Sequence, residues 1–125
     1  MLCARYHRST RAETPDGFEA TFALFYLSRY LLSYRLLPLL ERSDRPVIAN
    51  VAGPGGTRPI QWNDLQLTRG YLGVAALGHG GRLNDLLAVA FASKHHTAKP
   101  DMAFSIPASS RPALPANTIT PPLRR

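Results

Sequence analysis

Between Ala20 and Leu40 apolar side chains crowd together, broken only by Thr21, Ser28, Arg29, Ser33, Arg35 and Pro38. The run is preceded by Thr14-Pro15-Asp16, residue types that cap free backbone N–H groups and favour the positive end of a helix. The pattern predicts a helix that opens at about Phe18 and runs to about Leu37. At ~100° per residue Phe18, Phe22, Phe25, Leu32, Leu36 and Leu40 make one face, with Leu24, Leu27, Leu31 and Tyr34 on much of the opposite side. A helix apolar nearly all round has to be buried nearly all round. One sheet face covers a single side of it, so a second surface is expected on the other.

Pro46-Val47-Ile48-Ala49-Asn50-Val51 is a short β-branched run between a charged turn and Gly53-Pro54-Gly55-Gly56, the pattern of a buried parallel strand. Trp62-Asn63-Asp64 opens a polar loop in which Trp62 is expected to anchor packing. A second helix follows from about Leu77 to Ala92 and presents Leu83, Leu86, Leu87, Ala90 and Phe91. The glycines of Gly78-His79-Gly80-Gly81 weaken its start. After Lys94-His95-His96 comes an apolar run, Met102 to Pro107, that reads as a further weak strand. Two regions result: 1–107, a folded domain, and 108–125, rich in Pro, Ser and Arg with isolated apolar residues, which is expected to be disordered.

Composition narrows the chemistry. A chain of 125 residues, 45% hydrophobic, has room for one domain with its own core. A single cysteine excludes an internal disulfide framework, no Cys/His spacing resembles a zinc site, and adjacent His95-His96 in a polar stretch read as solvent-exposed rather than as a metal pair. The compartment implied is a reducing cytoplasm. Net charge is +7, but Arg5, Arg8, Arg11, Arg124 and Arg125 put much of the excess near the termini, and no helix-turn-helix, zinc-finger or RNP-like pattern accompanies it. Specific nucleic-acid binding is not expected. No signal peptide is expected, because the first residues lack an apolar core. Arg29, Arg35 and Pro38 also argue against a membrane span over 20–40, since an arginine near a bilayer centre costs ~2.5–3.5 kcal/mol on insertion scales.

Four stretches carry a family resemblance: "ETPDGFEATFALFYLSRYLL", "LLPLLERSDRPVIANVAG", "IQWNDLQLTRGY" and "ALGHGGRLNDLLAVAFA". In order they resemble the helix entering the active site of the short-chain dehydrogenase/reductases, the strand ending in that family's "NVSS" motif, a substrate-side loop of the retinol-dehydrogenase-like branch, and the helix that carries "YxxxSK". Residue by residue, the family's active-site Asn falls on Phe25, its Ser on Gly53, its Tyr on Leu77 and its Lys on Gly81. None of the four is kept. Asn84 matches an asparagine common in the family, Pro107 matches the proline of "HPG", and Cys3-Ala4-Arg5 sits where the family has "NAG".

The resemblance implies hydride transfer between NAD or NADP and a carbonyl or alcohol, with a tyrosine phenol moving the proton and a lysine lowering its pKa. Leucine has no proton to move and glycine no charge to supply. No G-x-G-x-x-G turn follows a strand in the first residues, so no cofactor is expected to bind this chain unless the missing half is supplied. The chain thus begins about where the nucleotide-binding half of such an enzyme would finish.

The expected fold is α/β, a partial Rossmann-like doubly wound parallel sheet (second half only) with a disordered C-terminal tail. Right-handed crossovers would put both helices on one face and leave the other face and one edge open. In the family the long helix commonly packs against its copy, so a homo-oligomer through the helix Phe18 to Leu37 is implied. Three readings follow: a non-catalytic family remnant or interaction subunit; an NAD(P)-dependent oxidoreductase whose cofactor half lies upstream and whose acid is Tyr71 or His79; and a basic interaction protein for nucleic acid or acidic surfaces. His79 enters because it lies two residues past Leu77 and titrates near neutrality.

Overall fold

The computed structural model describes residues 1–52, 59–95 and 101–105. Its elements, in order, are α1 (Ala20–Phe22), a π turn (Ala23–Leu27), α2 (Ser28–Arg35), α3 (Leu37–Leu40), β1 (Val47–Val51), α4 (Gly73–Lys94) and β2 (Asp101–Ser105). The tail 108–125 lies outside the described residues, as do Gly53 to Gly56, His96 and Pro107.

Strands β1 and β2 pair in parallel, with Val47 opposite Asp101 and Val51 opposite Ser105. The N-terminal segment runs along β1 as well: Leu2 N–H donates to Ala49 O at 2.7 Å, Leu2 O accepts from Val51 N–H at 2.9 Å, and the bridge is parallel. Parallel neighbours require a crossover, and α4 supplies the one from β1 to β2. Along β1, Ile48 and Asn50 are buried while Val47 is 55% exposed and Ala49 and Val51 are half-buried. One face of the strand meets the helices and the other is only thinly covered.

The first helix starts later than the capping pattern predicts. Pro15-Asp16-Gly17 makes a tight turn instead: Gly17 N–H donates to Thr14 O at 2.9 Å, Phe18 N–H to Thr14 Oγ1 at 3.2 Å, and Gly17 takes φ +80°. Proline pre-sets the turn and glycine tolerates the left-handed residue that closes it, so the chain folds back before it can become helical. Glu13 and Glu19 then pair across a short antiparallel bridge. The cap is Glu19, whose carboxylate accepts from Thr21 N–H at 2.8 Å and Phe22 N–H at 2.6 Å. At the far end Pro38, lacking an N–H, interrupts the ladder, and the chain bends at Leu36 before the single turn of α3.

The buried side of this helix also differs from the predicted faces. Thr21, Phe25, Arg29 and Ser33, four residues apart, are buried, whereas Phe18, Leu24, Leu31, Leu32 and Leu36 are each more than a third exposed. Phe22, Tyr26, Tyr30 and Tyr34 form a ladder along one flank, with centroid spacings of 5.5, 6.3 and 4.7 Å, and Tyr34 meets Phe91 of α4 edge-on at 5.3 Å. Burial, with neighbouring tyrosines second, pushes the Tyr26 and Tyr34 phenols above their ordinary value.

Helix α4 begins at Gly73, four residues before the predicted start, and continues through the glycine tract. Packing outweighs the propensity cost of glycine, about 1 kcal/mol each. A Cβ on Gly80 would stand 2.6 Å from Phe25 Cδ1, so only glycine lets α4 lie this close to the ring. Ala76, Leu83, Leu87 and Phe91 complete the buried face of α4, and with Phe25, Ile48, Ala52 and Leu67 they form the core. Trp62 departs from its expected role as a packing anchor, being 65% exposed. Leu67 takes that place in the loop. It is buried with φ +48°, a conformation held by Asp64, whose carboxylate accepts from Thr68 N–H at 2.8 Å, Thr68 Oγ1 at 2.9 Å and Arg69 N–H at 3.1 Å.

Candidate functional site

The centre of the molecule is a set of amides. Asn84, fully buried on α4, donates through Nδ2 to Phe25 O at 2.7 Å and to Gly80 O at 2.9 Å, while its Oδ1 accepts from Asn50 Nδ2 at 3.1 Å. Three elements meet there: strand β1, the first helix and α4. The π turn is what brings the first helix in. Ser28 N–H reaches back five residues to Ala23 O, and the widened turn directs the Phe25 carbonyl toward Asn84. Asn50 Oδ1 is buried without a partner among the described residues.

Around this network lie the positions that the family resemblance marks as reactive. Phe25 is 1% exposed, its ring packed over Gly80 and under the Arg29 guanidinium, which stands 4.4 Å from the ring centroid; Arg5 approaches at 5.7 Å. Leu77 is half-buried and Gly81 buried, both on α4, and Gly53 lies outside the described residues. Phe25, Leu77 and Gly81 offer no ionisable group and no side-chain hydrogen-bond donor. They hold no proton for a carbonyl and no cation for a ribose or a phenolate, so they do not fit a nicotinamide dinucleotide.

The alternative acids are held apart. His79 is half-buried and its Nε2 accepts from Gln61 N–H at 3.3 Å, which places the ring proton on Nδ1. Burial pulls its pKa below the ordinary imidazole value, against a smaller opposite pull from Asp64. A neutral ring whose Nε2 lone pair is engaged is a poor acid. The Tyr71 hydroxyl instead hydrogen-bonds with Thr21 Oγ1 at 3.1 Å, a pair in which either oxygen can donate, and donates a longer bond to Arg8 O at 3.4 Å. No hydrogen bond joins His79 and Tyr71 among the described residues. His95 lies against Phe91 and Tyr34, with centroids at 4.7 and 5.6 Å, and the described residues contain no group of three His, Cys, Asp or Glu able to hold a metal. Nor is any helix among them long and apolar enough to cross a membrane.

Two features escaped the sequence reading. Arg29, which counted only against a membrane span, is 1% exposed, donates through Nη2 to Ala4 O at 2.8 Å and has no partner for Nη1 among the described residues; burial lowers its pKa. An arginine in the middle of an apolar run was the signal, one it shares with Arg35, which is exposed. The second is a groove of about 370 Å³ between the N-terminal segment and the first turn of the helix, lined by Tyr6, Arg8, Ala20, Thr21 and Leu24. Nothing in residue spacing links positions 6 and 8 to 20, 21 and 24.

No family model and no solved structure matches the chain. Over 85 residues the chain is 34% identical to a protein named Oxidoreductase AN1596 from Emericella nidulans, an alignment covering 68% of this chain and 26% of that relative. The chain is therefore a homologue of a protein named an oxidoreductase, and it spans about a quarter of that protein's length.

Proposed function

We propose that this oxidoreductase homologue is a short-chain dehydrogenase/reductase relative, of the retinol-dehydrogenase-like branch, that holds the second half of a Rossmann-like sheet and acts as a non-catalytic interaction subunit. The fold reading is supported by the parallel order of the Leu2 segment, β1 and β2 and by the crossover through α4. The functional reading rests on one observation: the positions that should donate the proton and hold the cofactor are Leu77 and Gly81, beside a Phe25 ring that closes the space over Gly80. Its single exposed Cys3 suits a reducing cytoplasm.

Self-association belongs to the same proposal. Leu31, Leu32, Leu36 and Leu39 leave a strip of exposed apolar surface along α2 and α3, and a second copy of the helix would cover it.

The test is a fluorescence titration of the chain with NADH and NADPH. No saturable change is expected, and a micromolar dissociation constant overturns the reading. Restoring Phe25→Asn, Gly53→Ser, Leu77→Tyr and Gly81→Lys together should still give no carbonyl reduction, because no hydride donor is held. Turnover by the unaltered chain that disappears on His79→Ala or Tyr71→Phe would instead establish the enzyme reading.

A further inference from the structure

The groove lined by Tyr6, Arg8, Ala20, Thr21 and Leu24 is independent of the amide centre and of the reactive positions around it. Its walls differ in chemistry. Leu24 and Ala20 form an apolar side, and Leu24 is 38% exposed. The other lining residues are Tyr6 and Arg8, whose guanidinium stands over the Tyr6 ring at 5.7 Å from its centroid.

Arg8 makes no ion pair among the described residues. Of the neighbouring carboxylates, Glu13 pairs with Arg11 at 2.6 Å and Glu19 accepts from the Thr21 and Phe22 N–H groups. Arg8 therefore brings to the groove a positive charge that is in no ion pair among the described residues.

Thr21 adds a buried polar contact. It is 3% exposed, and its Oγ1 lies 3.1 Å from the Tyr71 hydroxyl, a pair in which either oxygen can be the donor. When Thr21 donates, the Tyr71 hydroxyl donates its own hydrogen bond to Arg8 O. When Tyr71 donates to Thr21, the Thr21 hydroxyl is free to donate in turn, and Thr21 is among the residues that line the groove. The pair can thus turn a donor toward a ligand oxygen without leaving a buried hydroxyl unpaired.

From these three elements we infer that the groove binds a small organic carboxylate with a compact apolar or aromatic body: carboxylate against Arg8 and the Thr21 hydroxyl, body against Leu24 and Ala20. A volume of about 370 Å³ is at the small end of the ~300–1,000 Å³ typical of ligand sites, which suits a single-ring or short branched acid. Arginine and a hydroxyl read charge and oxygen geometry, so the neutral amide of the same shape should bind less well.

Benzoate and benzamide are the probes, titrated into the 15N-labelled 125-residue chain by two-dimensional NMR. Benzoate should shift the Tyr6, Thr21 and Leu24 amides saturably in the millimolar range, about tenfold more tightly than benzamide. Arg8→Gln should bring benzoate down to the benzamide level, while Arg8→Lys keeps a preference for the acid; Thr21→Val should weaken the binding of benzoate. Equal binding of the two probes, benzoate affinity unchanged in Arg8→Gln, shifts confined to other residues, or no saturation overturns the assignment.

Discussion

Gly80 and Phe25 touch so closely that a Cβ at position 80 would stand 2.6 Å from Phe25 Cδ1, whereas a Cβ at Gly78, on the same helix, would meet nothing within 4 Å. The two glycines should therefore respond oppositely to alanine. Gly78→Ala should stabilise by up to ~1 kcal/mol, the difference in helix propensity. Gly80→Ala gains the same propensity but must displace a buried ring, and overpacking costs ~1–3 kcal/mol, so its net effect should be destabilising. Urea unfolding of the two variants checks the pair; equal and positive shifts would show that α4 does not press on Phe25.

Asn84 donates twice and accepts once at the meeting point of three elements. Asn84→Ala removes a donor from the Phe25 carbonyl and leaves the buried Asn50 amide without its acceptor, an unpaired state that costs ~1–3 kcal/mol, so a loss of ~2 kcal/mol is expected. Asn50→Ala should cost less, because Asn50 contributes one bond to the set where Asn84 makes three. A reversed order in denaturant midpoints would remove Asn84 from the centre of the network.

Leu31 is 43% exposed and Leu27 half-buried on the outer side of the first helix. Replacing both by Glu puts charge into the surface proposed to pair with a second copy. Sedimentation should find a dimer for the unaltered chain and a monomer for the double variant. A monomeric unaltered chain refutes the oligomer.

Acid should weaken the fold through His79. Burial lowers its folded pKa below the ordinary 6.5, so beneath that value the unfolded chain binds the proton more readily. Stability is full above 6.5 and falls as the pH descends from there to the folded pKa, where the loss levels off. His79→Gln should flatten this part of the stability profile. Asp64 works lower down: its hydrogen bonds, that from Thr68 N–H first, hold its pKa below 3.8, and their contribution is lost as the pH falls through the folded value. Unfolding midpoints across the acid range separate the two, and a His79→Gln profile identical to that of the parent would contradict the burial of the ring.

Residue order alone determined a good part of this protein. The apolar run after residue 20, the β-branched stretch Val47–Val51 and the apolar face of Leu83, Leu87 and Phe91 each form the element their pattern predicts, because burial of a periodic face is written in spacing. Tertiary structure decided the rest. Which side of an apolar helix faces inward has no answer in a sequence apolar all round; it was settled by the fit of Phe25 against Gly80 and of Arg29 against Ala4 O, and the leucines were left outside. Pro15-Asp16-Gly17 could cap a helix or close a turn, and the bridge between Glu13 and Glu19 chose the turn. The groove exists because residues 6 and 8 were folded against residues 20 to 24, a contact between segments that no local pattern encodes.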